Sequence, residues 1–185
     1  ILAGVGKGAE YGVLLRGGEY VENVRKLSTV VLDKTGTLTK GEPSVTDILA
    51  FEGYKENDVL EFAAVAEKGS EHPLAEAVVK AADKAGFSIP DAETFQAVPG
   101  HGVKASLGRH VILLGNRRLM EENKIPVKKL TESQLTKLEE QGKTAMLLAV
   151  DAKIAGIIAA MDTPKDNAAE AIRQLKSMGL EIVML

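Results

Sequence analysis

The feature that most constrains the fold is a pair of short strand-like runs near the two ends of the chain. Thr29-Val30-Val31-Leu32 is β-branched and apolar and ends at Asp33, which reads as a buried strand running into a turn at Lys34-Thr35-Gly36-Thr37. At the other end, Pro164 precedes a helical pattern of Ala168, Ala171, Ile172 and Leu175. Gly179 follows, and then the strand-like Glu181–Leu185. Helix, glycine and apolar strand form half of a βαβ unit, and the strand before Asp33 is its natural parallel neighbour. The two ends therefore predict one α/β domain interrupted by an inserted α+β domain, with residues 1–43 and 159–185 on one side and 44–158 on the other.

The insert has its own punctuation. Val45, Ile48 and Leu49 read as strand. Asn57 or Asp58 caps a helix carrying Leu60, Ala63, Ala64 and Ala66, and a second helix opens at Pro73 and ends at Gly86. Short strands are expected at Thr94–Val98, Val103–Ser106 and Val111–Leu114, then a helix over Glu132–Glu140. The apolar runs Ala145–Val150 and Ile154–Ala160 are joined at Asp151-Ala152-Lys153, a hairpin turn. Before the first strand, glycines at 4, 6, 8, 12, 17 and 18 disfavour a long helix, and Val21–Leu27 reads as a short one. The apolar Ile1-Leu2-Ala3 start and the Leu180–Leu185 finish both read as cuts from a longer chain.

Composition narrows the chemistry. A net charge of -3 offers no general attraction for nucleic acid, and 4% aromatics without Trp argue against a base-stacking platform. No Cys is present, so thiolate metal sites and Cys nucleophiles are excluded, and His72, His101 and His110 lack metal-ligand spacing. The longest apolar run falls far short of the roughly 20 residues of a spanning helix.

A carboxylate at the end of a parallel strand stands where open α/β sheets place reactive groups. Asp33 there can attack a phosphoryl group and become an acyl phosphate. That attack needs its charge neutralised, by Mg²⁺ and a nearby Lys such as Lys34. Gly36 lets the turn wrap phosphate oxygens, and Thr35 and Thr37 offer hydroxyls. The whole string Asp33-Lys34-Thr35-Gly36-Thr37-Leu38-Thr39 resembles, residue for residue, the phosphorylation signature of P-type ATPases. The resemblance implies that Asp33 is phosphorylated by ATP, that Thr35 helps hold Mg²⁺ through its carbonyl, and that Thr37 binds the phosphoryl group. It implies a haloacid-dehalogenase-like (Rossmann-like) phosphorylation domain. Into it is inserted a nucleotide-binding domain, an antiparallel sheet flanked by helices.

Ser70-Glu71-His72-Pro73-Leu74 resembles the Ser-Glu-His-Pro signature of heavy-metal-transporting members, in which His72 would orient the nucleotide and Glu67 would recognise the adenine amino group. Gly100-His101-Gly102-Val103 resembles their Gly-x-Gly turn and Gly115-Asn116 their Gly-Asn pair, so Gly100, Gly102, Val103, Gly115 and Asn116 join the expected nucleotide site. Asp162-Thr163-Pro164-Lys165 resembles their Asp-x-x-Lys segment, although Pro164 also fits a plain helix start. Gly115-Asn116-Arg117-Arg118-Leu119-Met120 looks more like copper than zinc members. The resemblance thus implies a cytoplasmic region of an integral membrane protein, working with ATP, Mg²⁺ and a transported ion bound in membrane segments elsewhere. It also implies a Thr-Gly-Asp motif after 180–185 that this sequence does not contain, so nucleotide binding is expected to exceed turnover.

Rival readings are weaker. Gly142-Lys143-Thr144 fails as a phosphate-binding loop because Lys137 stands where a glycine is required, and it reads instead as a helix end. Gly4-Val5-Gly6 and Gly100-His101-Gly102 lack the third glycine of a dinucleotide fingerprint. A soluble haloacid-dehalogenase phosphatase would carry a second Asp two residues after the nucleophile, where this chain has Thr35. A zinc- or cadmium-type ATPase and a silent nucleotide-binding module remain as alternatives.

Overall fold

A computed structural model describes residues 2–14, 17–24, 26–51 and 53–185. Ile1 of the apolar start and Arg25 of the expected 21–27 helix lie outside these. The chain divides into two compact units, Ile1–Thr39 with Pro164–Leu185, and Lys40–Thr163. These boundaries lie a few residues from those read in the sequence.

The first unit contains α1 (Leu2–Glu10), α2 (Gly18–Val24), β1 (Thr29–Leu32), α7 (Ala168–Ser177) and β8 (Glu181–Met184). The glycine-rich start forms a nine-residue helix. Its local support includes a 2.6 Å ion pair from Lys7 to Glu10 and the Lys7 ammonium over Tyr11. Strands β1 and β8 pair in parallel, with Thr29 opposite Glu181 and Leu32 opposite Met184. The expectation of a buried β1 is corrected, since Val31 is 55% exposed. With β8 as the one strand paired to it among the described residues, β1 has too little sheet around it to hide both faces. Pro164 is likewise no helix start: it ends a strand, and α7 begins at Ala168.

The second unit holds a six-stranded sheet ordered β2-β7-β6-β5-β4-β3. These are Thr39–Ala50 (β2), Thr94–Val98 (β3), Gly102–Leu107 (β4), His110–Gly115 (β5), Thr144–Val150 (β6) and Lys153–Pro164 (β7), of which Thr39 and Pro164 belong to the first unit. Pairs β3–β4, β4–β5, β5–β6 and β6–β7 are antiparallel. Side chains alternate between two apolar layers because successive residues of a strand point to opposite faces. Val103, Ala105, Ile112, Leu114 and Leu148 pack with α3 (Glu56–Glu67) and α4 (Pro73–Lys84). Leu113, Leu147, Ala149 and Ile157 pack with α5 (Arg117–Glu122) and α6 (Lys129–Glu140). Covered on both faces, β5 and β6 read as nearly unbroken apolar runs.

Several boundaries differ from the sequence expectation, among them α2 at Gly18–Val24 rather than 21–27 and α6 starting at Lys129 rather than Glu132. Helix α3 starts at Glu56 with Lys55 as its cap residue, while Asp58 sits in the first turn and accepts from the Lys55 N–H at 2.7 Å. Helix α5 was not foreseen, since at six residues it is too short to show a period.

Candidate functional site

Asp33 follows the last rung of the parallel ladder and is exposed. Beside it the Leu185 N–H donates to the Leu32 carbonyl (2.9 Å) and the Lys34 N–H to the Leu185 carbonyl (3.2 Å). The bend at Lys34–Leu38 is wide, with Gly36 at φ +74°. An Asp in this place commonly caps the next turn, but the Asp33 side chain makes no capping bond, so its carboxylate is left for other work. The bend is braced from inside. Buried Thr39 accepts from the Gly36 N–H at 3.1 Å and donates to the Lys34 carbonyl at 3.0 Å. Lys165 adds its ammonium to the Gly36 carbonyl at 2.7 Å, and its N–H donates to the Leu38 carbonyl at 2.9 Å. Lys34, Thr35 and Thr37 are exposed along the same bend. Thr39 stood in the signature without an assigned role; its bracing of the bend required coordinates. Asp162 lies in the other unit and accepts from the Gly41 N–H at 2.9 Å.

The second cluster begins where α3 ends. Glu67 is 6% exposed, and its Oε2 has no hydrogen-bond partner. Burial pushes its carboxyl above the usual carboxylate range, and a hydrogen bond from the Ser70 hydroxyl pulls partly the other way. Ser70 Oγ also accepts from the His72 N–H at 3.3 Å. His72 is the N-cap of α4, where Pro73 has no N–H to offer, and its Nδ1 accepts from the Leu74 N–H at 3.1 Å. The Ser70 N–H donates to the Glu67 carbonyl at 2.8 Å, so successive hydrogen bonds run from Glu67 through Ser70 and His72 to Leu74. The Phe95 ring of β3 lies over Gly69, where an added Cβ would sit 3.0 Å from it. Sequence reading missed this contact, which sets the Glu67–His72 loop against the β3–β4 hairpin.

That hairpin carries the glycines. Gly100 and Gly102 have φ of +73° and +142°, and Gly102 stands opposite Gly115. A Cβ at Gly102 would meet the Leu114 carbonyl at 2.1 Å, and one at Gly115 the His101 carbonyl at 2.1 Å, so both positions exclude side chains. Asn116 stitches the turn in place: Nδ2 donates to the Gly100 carbonyl (2.8 Å), while Oδ1 caps α5 by accepting from the Leu119 N–H (3.2 Å). Both its amide nitrogen and its amide oxygen are thus bonded to backbone. Val103 is 5% exposed and packs in the core under α3, so it does not present its side chain to a ligand.

For a divalent cation, the exposed Asp33 carboxylate and the Thr35 carbonyl are hard oxygen donors of the kind Mg²⁺ prefers. Among the described residues no group of three or more His, Cys, Asp or Glu gathers elsewhere as a metal site. The donor set fits a cation that keeps most of its ligands from water and substrate.

Comparison with known proteins decides the family. Residues 27–185 match the model of the haloacid dehalogenase-like hydrolases. The chain belongs to that family. Within it, the chain is 49% identical over all 185 residues to a copper-exporting P-type ATPase of Staphylococcus aureus (strain JH9), of which it spans 22%. Among solved structures it resembles a zinc-transporting PIB-type ATPase in the E2.Pi state, with a TM-score of 0.90 and 35% identity, covering all of this chain and 30% of that one. The N-domain of HMA6, a copper-transporting P-type ATPase, matches with a TM-score of 0.54 and 25% identity, over 65% of this chain and 99% of that one. In sequence and fold, this haloacid dehalogenase-like chain is thus similar to the catalytic region of heavy-metal P-type ATPases.

Proposed function

We propose that this chain is the ATP-binding and phosphorylation region of a heavy-metal-exporting P-type ATPase, and that Asp33 is the phosphoryl acceptor. The observation that carries the reading is Asp33 itself: an exposed carboxylate at the end of a parallel strand, uncommitted to capping, beside a bend held by Thr39 and Lys165. A carboxylate oxygen of Asp33 attacks the γ-phosphorus of ATP, the bond from phosphorus to the bridging oxygen breaks, and ADP leaves with the electron pair. Water later attacks the same phosphorus, releasing phosphate and restoring the carboxylate. Mg²⁺, when bound, offsets the charge that builds up as carboxylate and phosphate approach; Asp33 and the Thr35 carbonyl would be the protein's share of its ligands. Thr37 and Lys34 supply hydroxyl and positive charge to the phosphoryl oxygens. Gly100, Gly102, Glu67 and His72 line the nucleotide site in the second unit. Gly115 and Asn116 hold its glycine turn in shape.

The exported ion is proposed to be Cu⁺, supported by the copper-exporting relative at 49% identity. The likeness to a zinc-transporting structure supports Zn²⁺ as a second reading. The test is phosphoenzyme formation by the full-length parent protein, embedded in membrane, from γ-labelled ATP. Acid-stable label is expected to appear with Cu⁺ and to vanish in Asp33→Asn. Label persisting in that variant overturns the acceptor assignment, and label that requires Zn²⁺ moves the ion to the second reading.

A further inference from the structure

On the α5–α6 side of the six-stranded sheet, a cavity of about 490 Å³ opens between the start of α6, the end of β2 and the β6–β7 turn. That volume lies within the roughly 300–1,000 Å³ of small-molecule sites. Its apolar wall includes Phe51, Leu130 and Ile154. Phe51 and Ile154 pack on the core beneath α5 and α6, and the Phe51 N–H donates to the Ala155 carbonyl at 2.9 Å, which holds that residue beside β7. Leu130 is 69% exposed. The rest of the wall carries donors. Thr131 is 5% exposed, yet its hydroxyl makes no hydrogen bond among the described residues. A buried hydroxyl with no protein partner is uncommon, and this one lines the cavity. Lys128 is the N-cap of α6 and makes no side-chain capping bond, so the first N–H groups of the helix and the positive end of its dipole stand at the same wall. Lys128 and Lys153 add ammonium charge from two different elements. Carboxylates close to them in sequence are engaged elsewhere: Glu132 pairs with Arg117 at 2.5 Å, and Asp151 bonds the His110 ring at 2.7 Å.

We propose that this cavity is a second ligand site, which takes an amphipathic organic anion: a carboxylate or phosphate head on a small apolar body. The head accepts from the Thr131 hydroxyl and the first N–H groups of α6, while Lys153 supplies charge from β7. The body lies against Phe51, Leu130 and Ile154, an apolar wall that a bare inorganic ion would leave unused. The site is separate from the nucleotide residues, because Glu67 and His72 belong to the end of α3 and the start of α4, the layer on the other face of the sheet. It therefore stands independently of ATP binding there.

The probes are benzoate, phenyl phosphate and uncharged benzamide, titrated into the 185-residue chain and followed by ¹H–¹⁵N correlation spectra. Benzoate or phenyl phosphate is expected to shift the amide signals of residues 128–131 and 152–154, and the tighter of the two identifies the head group. Benzamide should bind at least tenfold more weakly, and saturating ATP should leave the shifts in place. Val has the shape of Thr without the hydroxyl, so Thr131→Val should keep or raise the melting temperature while weakening the tighter anion about tenfold, the range for a lost bond to a charged group. Lys153→Met should weaken it by up to about fivefold, with the melting temperature unchanged. No shift at these residues with either anion, benzamide binding as tightly as benzoate, or unchanged affinity in Thr131→Val overturns the proposal. So do shifts that fall on residues 67–72 and 100–102 instead and vanish with ATP, because the anion then occupies the nucleotide cluster.

Discussion

At the scale of single residues, the site trades stability for readiness. Glu67 is buried with an orphan oxygen, a cost that a carboxylate bears and a neutral amide of the same shape bears less. Its folded-state pKa is raised, chiefly by burial, above its unfolded value. The stabilisation linked to its proton is therefore complete below the unfolded value of about 4.3 and is lost as pH rises through the folded value. Glu67→Gln is accordingly expected to stabilise the fold at pH 7 by roughly 1 kcal/mol, with the gain shrinking towards pH 4. Urea denaturation of both proteins across that interval checks it, and a gain that grows on acidification would contradict the assigned shift. The same variant should bind ATP more weakly in calorimetric titration, since the amide carries hydrogens where the proposed partner also donates.

At the scale of elements, the sequence declared strands and helices wherever their periods had room to repeat. β1 and β8 were placed as parallel neighbours because a β-branched run and a helix-glycine-strand unit leave few other pairings. Short or capped elements were hidden: α5 has no room for a period, and Lys55 at the cap of α3 is not a residue type that marks a start. The β6–β7 hairpin was legible, yet it turns through Asp151 and Ala152 with φ of +51° and +63°. Asp151 is compensated there by the His110 ring at 2.7 Å and the Val111 N–H at 3.0 Å, whereas Ala152 has only a methyl group in a left-handed conformation. Ala152→Gly should therefore raise stability by about 1 kcal/mol, seen as a higher denaturation midpoint with an unchanged slope.

At the scale of the whole molecule, two units arise from one chain because the first is completed by segments more than 120 residues apart, with the second inserted between them. The second unit has its own two-layered core, packed on both faces of its sheet. Residues 40–163 expressed alone should fold cooperatively and bind ATP with the affinity of the full 185-residue chain. Circular dichroism melting and calorimetric titration test this, and a fragment that folds but binds at least tenfold more weakly would show that the nucleotide site draws on the first unit.

What the residues alone determined was a set of local patterns and their order along the chain. A carboxylate at a strand end followed by a threonine-rich bend, a His-Pro helix start and glycine-bearing turns are local patterns, readable because backbone sterics and short-range hydrogen bonds act between neighbours in sequence. What only the tertiary structure decided was how each group is used. The Asn116 side chain belongs to backbone 16 residues away at Gly100, Val103 belongs to the core, and Lys165 reaches Gly36 across 129 positions. Such contacts depend on which surfaces close against each other, and no local pattern in one chain encodes that.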